Sequence, residues 1–425
     1  MMNFSKEEKS WMLYDLANSA YSLIIITALL PIYFKIVAQT GNLDNTTATA
    51  YWGYMTGFST LLVSLAAPFL GSLGDYMGKK KHFFRFFLFL GSFFTIGLAL
   101  VPSNQWGWLL VIYTLSKIGY QAANLFYDAF LTDVTTNQRS DIISSYGFAI
   151  GYIGSALLFL FVILLTLTSG FGFLSTINVM RLSFILTAIW WFVFSLPMLK
   201  NVHQKYGLTN ESVSFKKSTL RLIKTLRDIG QYKTVVSFML AYFFYSDGVD
   251  TIITMSTTFG VDMGVKSTTL VLILLVVNVI AFPSTILYAR LAKLIGTKRT
   301  LLVAIGVYIV ICFYAMFMRN IIDFWLLGIL VGTSQGGIQA LSRAYFSRII
   351  PKDKANEFFG FYNILGKFSA VFGPILFSLT TQLTGRSQFG LASLIILFLI
   401  GGLLVTQLKE QSSEEPTQPT VESDD

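Results

Sequence analysis

The sequence predicts an all-α integral membrane protein of twelve spanning helices, arranged as two pseudo-symmetric six-helix bundles. Three observations lead there. Of the 425 residues, 54% are hydrophobic and only 12% charged, with a mean hydropathy of +0.64, well above that of soluble domains. Apolar runs near or above the ~20 residues needed to cross a ~30 Å hydrocarbon core recur along nearly the whole chain. One long polar interruption, residues 200–233, divides those runs six and six.

Taken in order, the predicted spans begin with span 1 at 11–38, whose apolar stretch is too long for a cleaved secretory leader and therefore stays in the chain. Span 2 at 49–74 and span 3 at 83–102 flank the basic run Lys79, Lys80, Lys81. Spans 4, 5 and 6 follow at 106–130, 143–168 and 180–199, completing a first bundle over residues 1–199. The second bundle, 234–407, holds span 7 at 234–258, span 8 at 267–291, span 9 at 300–318, span 10 at 323–347, span 11 at 357–384 and span 12 at 388–407. Gly248 is expected to loosen span 7 and free backbone carbonyls there. The linker, 200–233, carries eight Lys or Arg against two acids. Leu222, Ile223, Leu226 and Ile229 recur in it at helical spacing, which fits either an amphipathic helix on an anionic leaflet or a solvated basic connection. Residues 408–425 read as an acidic, disordered tail.

A net charge of +9 could point to nucleic acid, but the distribution of the 31 Lys and Arg residues excludes it. With the N-terminus cytoplasmic, 24 of them fall at cytoplasmic ends or loops, and only Lys35, Arg181, Lys266, Arg319 and Arg386 fall on the other side. This bias places both termini in the cytoplasm, and the plasma membrane is the expected location. A single cysteine, Cys312, excludes an internal disulfide, and His82 and His203, both in loops, form no metal cluster. No cofactor motif is present. "GFYNILGKF" at 360–368 imitates a phosphate-binding loop but has five residues between its glycines and Phe368 in place of Ser or Thr.

The halves align on each other at an offset of 218 residues. Leu73, Gly78, Lys80 and Lys81 meet Leu291, Gly296, Lys298 and Arg299, and Gln121, Ala122 and Tyr127 meet Gln339, Ala340 and Tyr345. Such internal repeats build many secondary transporters, with the substrate site at the repeat interface.

Charge inside a spanning helix is costly, about 2.5–3.5 kcal/mol at mid-helix, so its spacing is informative. Lys117, Gln121, Asn124 and Asp128 share one face of span 4. Gln335, Gln339 and Ser342 repeat that stripe in span 10. Asp15, Asn18, Ser19 and Ser22 share a face of span 1, and Asp247, Asp250, Thr251 and Thr254 a face of span 7. Counting from Trp106 places Lys117 ~16 Å deep. Lys367 in span 11 is a further intramembrane cation. The plainer alternative for these polar residues is hydrogen bonding that only holds the bundle together.

Gly71, Leu73, Asp75, Gly78, Lys79 and Lys80 resemble the G-x-L-x-D-x-x-G-[RK]-[RK] loop of the major facilitator superfamily, although Tyr76 stands where a basic residue is usual. "WMLYDLANSAY" at 11–21, "DAFLTDV" at 128–134, "YSDGVDTI" at 245–252 and "QGGIQALSRAYFSRIIP" at 335–351 resemble its vacuolar amino-acid effluxer-like branch and that branch's bacterial relatives. The resemblance implies the major facilitator fold, in which spans 1, 4, 7 and 10 line the central cavity. Asn18, Lys117, Gln121, Asn124, Asp247, Asp250, Gln335, Gln339 and Lys367 then become candidates for binding substrate or protons. Gly71, Asp75, Gly78, Lys79, Lys80, Asp128 and Asp15 become gating candidates. Asp75 is expected to meet the positive end of span 11 near Asn356, Lys117 to pair across the cavity with Asp247 or Asp250, and Asp15 to bind a partner from the other half.

The function expected is secondary transport of a small polar solute, an amino acid or similar zwitterion, by a monomer, with protons as the coupling ion. A receptor or a lipid scramblase on the same scaffold is the alternative. An intramembrane enzyme would need a nucleophile-base pair or ligand cluster that the sequence does not supply.

Overall fold

The computed structural model describes residues 3–43, 45–168, 174–208, 215–227, 229–263, 265–369 and 372–408. The regular elements are helices. Span 1 comprises Lys6–Tyr21, a π-helix at Ser22–Leu29, and Leu30–Thr40. Spans 2 to 6 are Asn45–Gly74, Lys79–Leu100, Trp106–Ala129, Ser140–Leu167 and Thr176–Asn201. A linker helix, Phe215–Arg227, precedes span 7 at Lys233–Asp262. Spans 8, 9 and 10 are Ser267–Ile295, Thr297–Ala315 and Ile321–Ile349. Span 11 is described over Ala355–Ser369 and Phe372–Thr384, and span 12 is split into Ser387–Ser393 and Ile395–Gln407. Most of the predicted acidic tail lies outside the described residues.

Among the described residues, nine helices are long and apolar enough to cross a membrane: spans 1, 2, 3, 5, 6, 8, 9, 10 and 12. Spans 4, 7 and 11 complete the twelve. The first two are 24 and 30 residues long but diluted by their polar stripes, and span 11 is described in stretches of 15 and 13 residues.

Local chemistry explains where the helices begin and bend. Ser5 and Glu8 form a reciprocal capping box that starts span 1, with Glu8 N donating to Ser5 Oγ at 3.0 Å and Ser5 N to Glu8 Oε2 at 2.8 Å. Pro31 has no N–H for the carbonyl four residues back, and the wider π winding is found just before it. Span 7, by contrast, runs unbroken through Gly248, so the loosening expected there is not found.

Each half is locked by aromatic packing. Tyr21 stacks on Tyr120 at 4.4 Å, and Trp191 lies against both, joining spans 1, 4 and 6. The halves meet along two seams, span 2 against span 11 and span 8 against span 5. The repeat relates one seam to the other. The loops between spans 2 and 3 and between spans 8 and 9 lie at one end of the bundle with the linker; this end is called the linker face, and the opposite end the distal face.

Candidate functional site

Between the halves lies a cavity of about 500 Å³. It reaches Leu270 and Phe324, in the first turns of spans 8 and 10 at the distal face, and its floor toward the linker face carries Asp15, Asp128 and Arg343. Asn18, Asn124, Asp250, Gln335 and Gln339 line it between these levels. Asn18 Nδ2 donates to Asn124 Oδ1 at 3.1 Å, and Tyr152 donates to Gln339 Oε1 at 2.8 Å. Spans 1, 4, 7 and 10 thus contribute polar groups to one space.

The floor is built around Arg343 of span 10. Its Nη2 donates to Asp15 Oδ2 at 2.9 Å and its Nη1 to Asp128 Oδ1 at 3.2 Å. Its Nε donates to Ser144 Oγ at 2.9 Å, while Ser144 donates to the Ala340 carbonyl at 2.8 Å. The guanidinium also lies over Phe148 at 4.2 Å and Trp11 at 4.7 Å. A buried cation from the second half therefore binds two carboxylates of the first. Gly147 makes the approach possible, because a Cβ there would lie 2.3 Å from Asp15 Oδ2.

A second contact closes the linker face beside the floor. Asp75, just past span 2, accepts hydrogen bonds from Asn356 N at 2.9 Å, Asn356 Nδ2 at 2.7 Å and Glu357 N at 3.2 Å, so its carboxylate sits on the N-terminal end of span 11. Burial pushes the Asp75 carboxyl up to about 7, against the lowering effects of the Asn356 hydrogen bond and of Lys80 and Arg221. Gly71 permits the seam, since a Cβ would lie 2.3 Å from the Asn356 carbonyl oxygen. Gly78 turns the chain with φ of 77°. Lys80 is fully buried and pairs with Asp133 at 2.6 Å, fixing the loop within its own half. Lys79 is half-buried beside it.

Several predicted site residues sit elsewhere. Lys117 is not among the residues lining the cavity; its Nζ donates to the Thr56 carbonyl of span 2 at 2.9 Å and lies 5.8 Å from the Tyr113 ring. Gln121 faces a small void against span 2. Asp247 is fully buried, and its Oδ1 accepts from Gly373 N of span 11 at 2.9 Å. Periodicity assigns these residues to a helix face, but the neighbour of that face decides what they touch. The Lys367 side chain lies outside the described residues.

Sequence reasoning missed Arg343, counting it with the basic residues at helix ends. The signal was present: steps of four from Gln335 and Gln339 reach Arg343. It also missed Glu357, Arg221, Asp141 and Arg348.

A polar cavity between two six-helix halves, closed at one face by contacts between those halves, defines a membrane transporter of the major facilitator type. Solved structures share the fold at 14% identity. The human organic anion transporter MFSD10 has a TM-score of 0.73, covering 94% of this chain and 99% of that one. The proton:xylose symporter XylE also has a TM-score of 0.73, covering 96% and 97%. The chain belongs to the vacuole effluxer Atg22-like family, whose model matches residues 4–417. An uncharacterized MFS-type transporter of Bacillus subtilis, YxiO, is 47% identical over 98% of each chain. Autophagy-related protein 22 of Kluyveromyces lactis is 22% identical, covering 82% of this chain and 76% of its own. The relatives are transporters, and the intramembrane-enzyme reading is set aside.

Proposed function

We propose that the protein moves a small zwitterionic solute of the amino-acid type across the plasma membrane by alternating access, with the linker face and both termini cytoplasmic. The carrying observation is the cavity, which sets the guanidinium of Arg343 and the carboxylates of Asp15, Asp128 and Asp250 around one space, with amides between them. Its volume suits a small solute. A substrate ammonium would face the carboxylates, while its carboxylate would compete with Asp15 and Asp128 for Arg343. Two carboxylates share that one guanidinium, and opening the linker face separates both from it. Proton coupling is proposed at these carboxylates. Gln339 and Gln335 lie one and two turns above Arg343 on the same face, suited to orienting the solute's polar end.

The test is uptake into proteoliposomes of labelled amino acids, sugars and short peptides, with and without an imposed proton gradient. Amino-acid uptake that rises with the gradient supports the reading. Equal uptake of sugars, or no dependence on the substrate's ammonium group, overturns the zwitterion assignment.

A further inference from the structure

The linker has more structure than a tether needs, and both of its ends bear on the closed gate. Its first stretch pairs with the loop after span 2: Leu208 N donates to the Asp75 carbonyl at 2.9 Å, and Met77 N to the Leu208 carbonyl at 3.1 Å. Asp133 Oδ1 holds the same stretch by accepting from Lys205 N at 2.7 Å and Tyr206 N at 3.0 Å. The linker helix then returns to the gate. Its Arg221 Nε donates to Glu357 Oε2 at 3.3 Å, its Nη2 donates to the Ser72 carbonyl and lies 3.7 Å from Asp75 Oδ2, and its guanidinium is 5.3 Å from the Tyr76 ring. Asp75 and Ser72 belong to the first half and Glu357 to the second. Arg221 can touch both only while the linker face is closed.

The opposite side of this helix has a different character. Ser218 and Thr225 are buried toward the gate, whereas Leu220 and Ile223 are 57% and 56% exposed. Lys217, Lys224 and Arg227 are exposed with them. At 13 residues the helix is ~20 Å long, too short to span a bilayer, so these leucine and isoleucine side chains are not on a spanning segment. Two apolar side chains flanked by three cations, on a helix pinned beside the end of span 2, match the boundary between acyl chains and anionic headgroups.

We propose that the linker helix docks on anionic lipids of the adjacent leaflet and, through Arg221, clamps the linker-face gate shut. The occupant is the lipid headgroup and not a soluble anion, because the apolar pair has a use only at a bilayer surface. Anionic lipid thereby shifts the transporter toward its distal-open state. The inference rests on the proposed orientation and alternating access, but not on the identity of the substrate.

Backbone amide exchange of the full-length protein tests it, in nanodiscs of phosphatidylcholine alone and of phosphatidylcholine with phosphatidylglycerol. Three cations near an anionic surface give on the order of a hundredfold preference for it, so exchange in 215–227 and at Asn356 and Glu357 should slow by at least ~tenfold in the anionic discs. Leu220→Glu with Ile223→Glu should abolish both effects. Arg221→Gln should keep the slowing in 215–227 but lose it at Asn356 and Glu357, with Arg221→Lys intermediate. Equal exchange in the two lipid compositions would overturn the proposal. So would the same slowing produced in neutral discs by inorganic phosphate, or a response of 215–227 that never reaches span 11. Because the readout needs no transport, failure of the zwitterion assignment in the uptake panel leaves this test intact, and the converse holds.

Discussion

The two seams of the linker face occupy equivalent places in the repeat, yet they are closed by opposite arrangements of charge. In the seam between spans 2 and 11, the loop supplies the carboxylate, Asp75, and the facing helix supplies its backbone N–H groups. In the seam between spans 8 and 5, the facing helix supplies the carboxylate. Asp141, in the first turn of span 5, accepts from Thr297 Oγ1 at 2.6 Å and from Arg348 Nη1 at 2.7 Å. The first seam is dry, with Asp75, Asn356 and Glu357 at most 1% exposed. The second is wetter, the Arg348 and Asp141 side chains being 17% and 12% exposed. Among the described residues, the linker's Arg221 reinforces the first. An internal repeat thus preserves where two halves meet while leaving the chemistry of each meeting free to diverge.

The largest expected effect lies between the seams. Arg343→Gln leaves the buried Asp15 carboxylate, and the partly exposed Asp128 beside it, without their cation, a loss of about 3–5 kcal/mol for the closed gate. Measured by the reactivity of a cysteine introduced at the linker face, the closed population should fall roughly a hundredfold or more. Adding Asp15→Asn should recover part of the loss, because one stranded charge is removed. Retained closure in Arg343→Gln would mean that the seams alone hold the gate.

Next comes Asp75. Asp75→Ala strands the buried N–H groups of Asn356 and Glu357, worth about 2 kcal/mol, and should open the linker face by tens-fold. The wild-type seam should also respond to pH. With the carboxyl raised to about 7 when closed and near its ordinary value of about 4 when open, closure takes up a proton. Closure is then strongest below the open-state value and weakens as pH rises through about 7, by roughly tenfold between pH 6 and 8. The protonated carboxyl keeps an acceptor for Asn356, which alanine lacks, so the two effects have opposite directions without conflict. A flat pH response of the same accessibility, or one that persists in Asp75→Ala, would count against Asp75 as the titrating group.

The smallest effect belongs to the wetter seam. Asp141→Ala and Arg348→Gln should each weaken closure by no more than about 1 kcal/mol, as expected for a partly solvated pair. A loss equal to that of Asp75→Ala would remove the distinction drawn between the seams.

What sequence alone determined about this protein is what hydrocarbon and local geometry impose. A segment that crosses lipid must be apolar over ~20 residues, so the spans were legible, including the six-and-six division and the charge asymmetry of the loops. The G-x-L-x-D-x-x-G pattern was legible because the turn at Gly78 and the acid at Asp75 are local features. Helical spacing put Asn18, Asn124, Asp250, Gln335 and Gln339 on faces that the fold turns into one cavity. Tertiary structure decided the rest. Lys117 and Asp247 share those faces with Asn124 and Asp250, but at their own levels along the helix they hydrogen-bond to spans 2 and 11. Arg343 looked like one more basic residue near a helix end until packing set two carboxylates from distant spans around it. A 100° rotation per residue specifies direction around one helix axis, whereas a partner depends on the position of a second helix, which no single segment encodes.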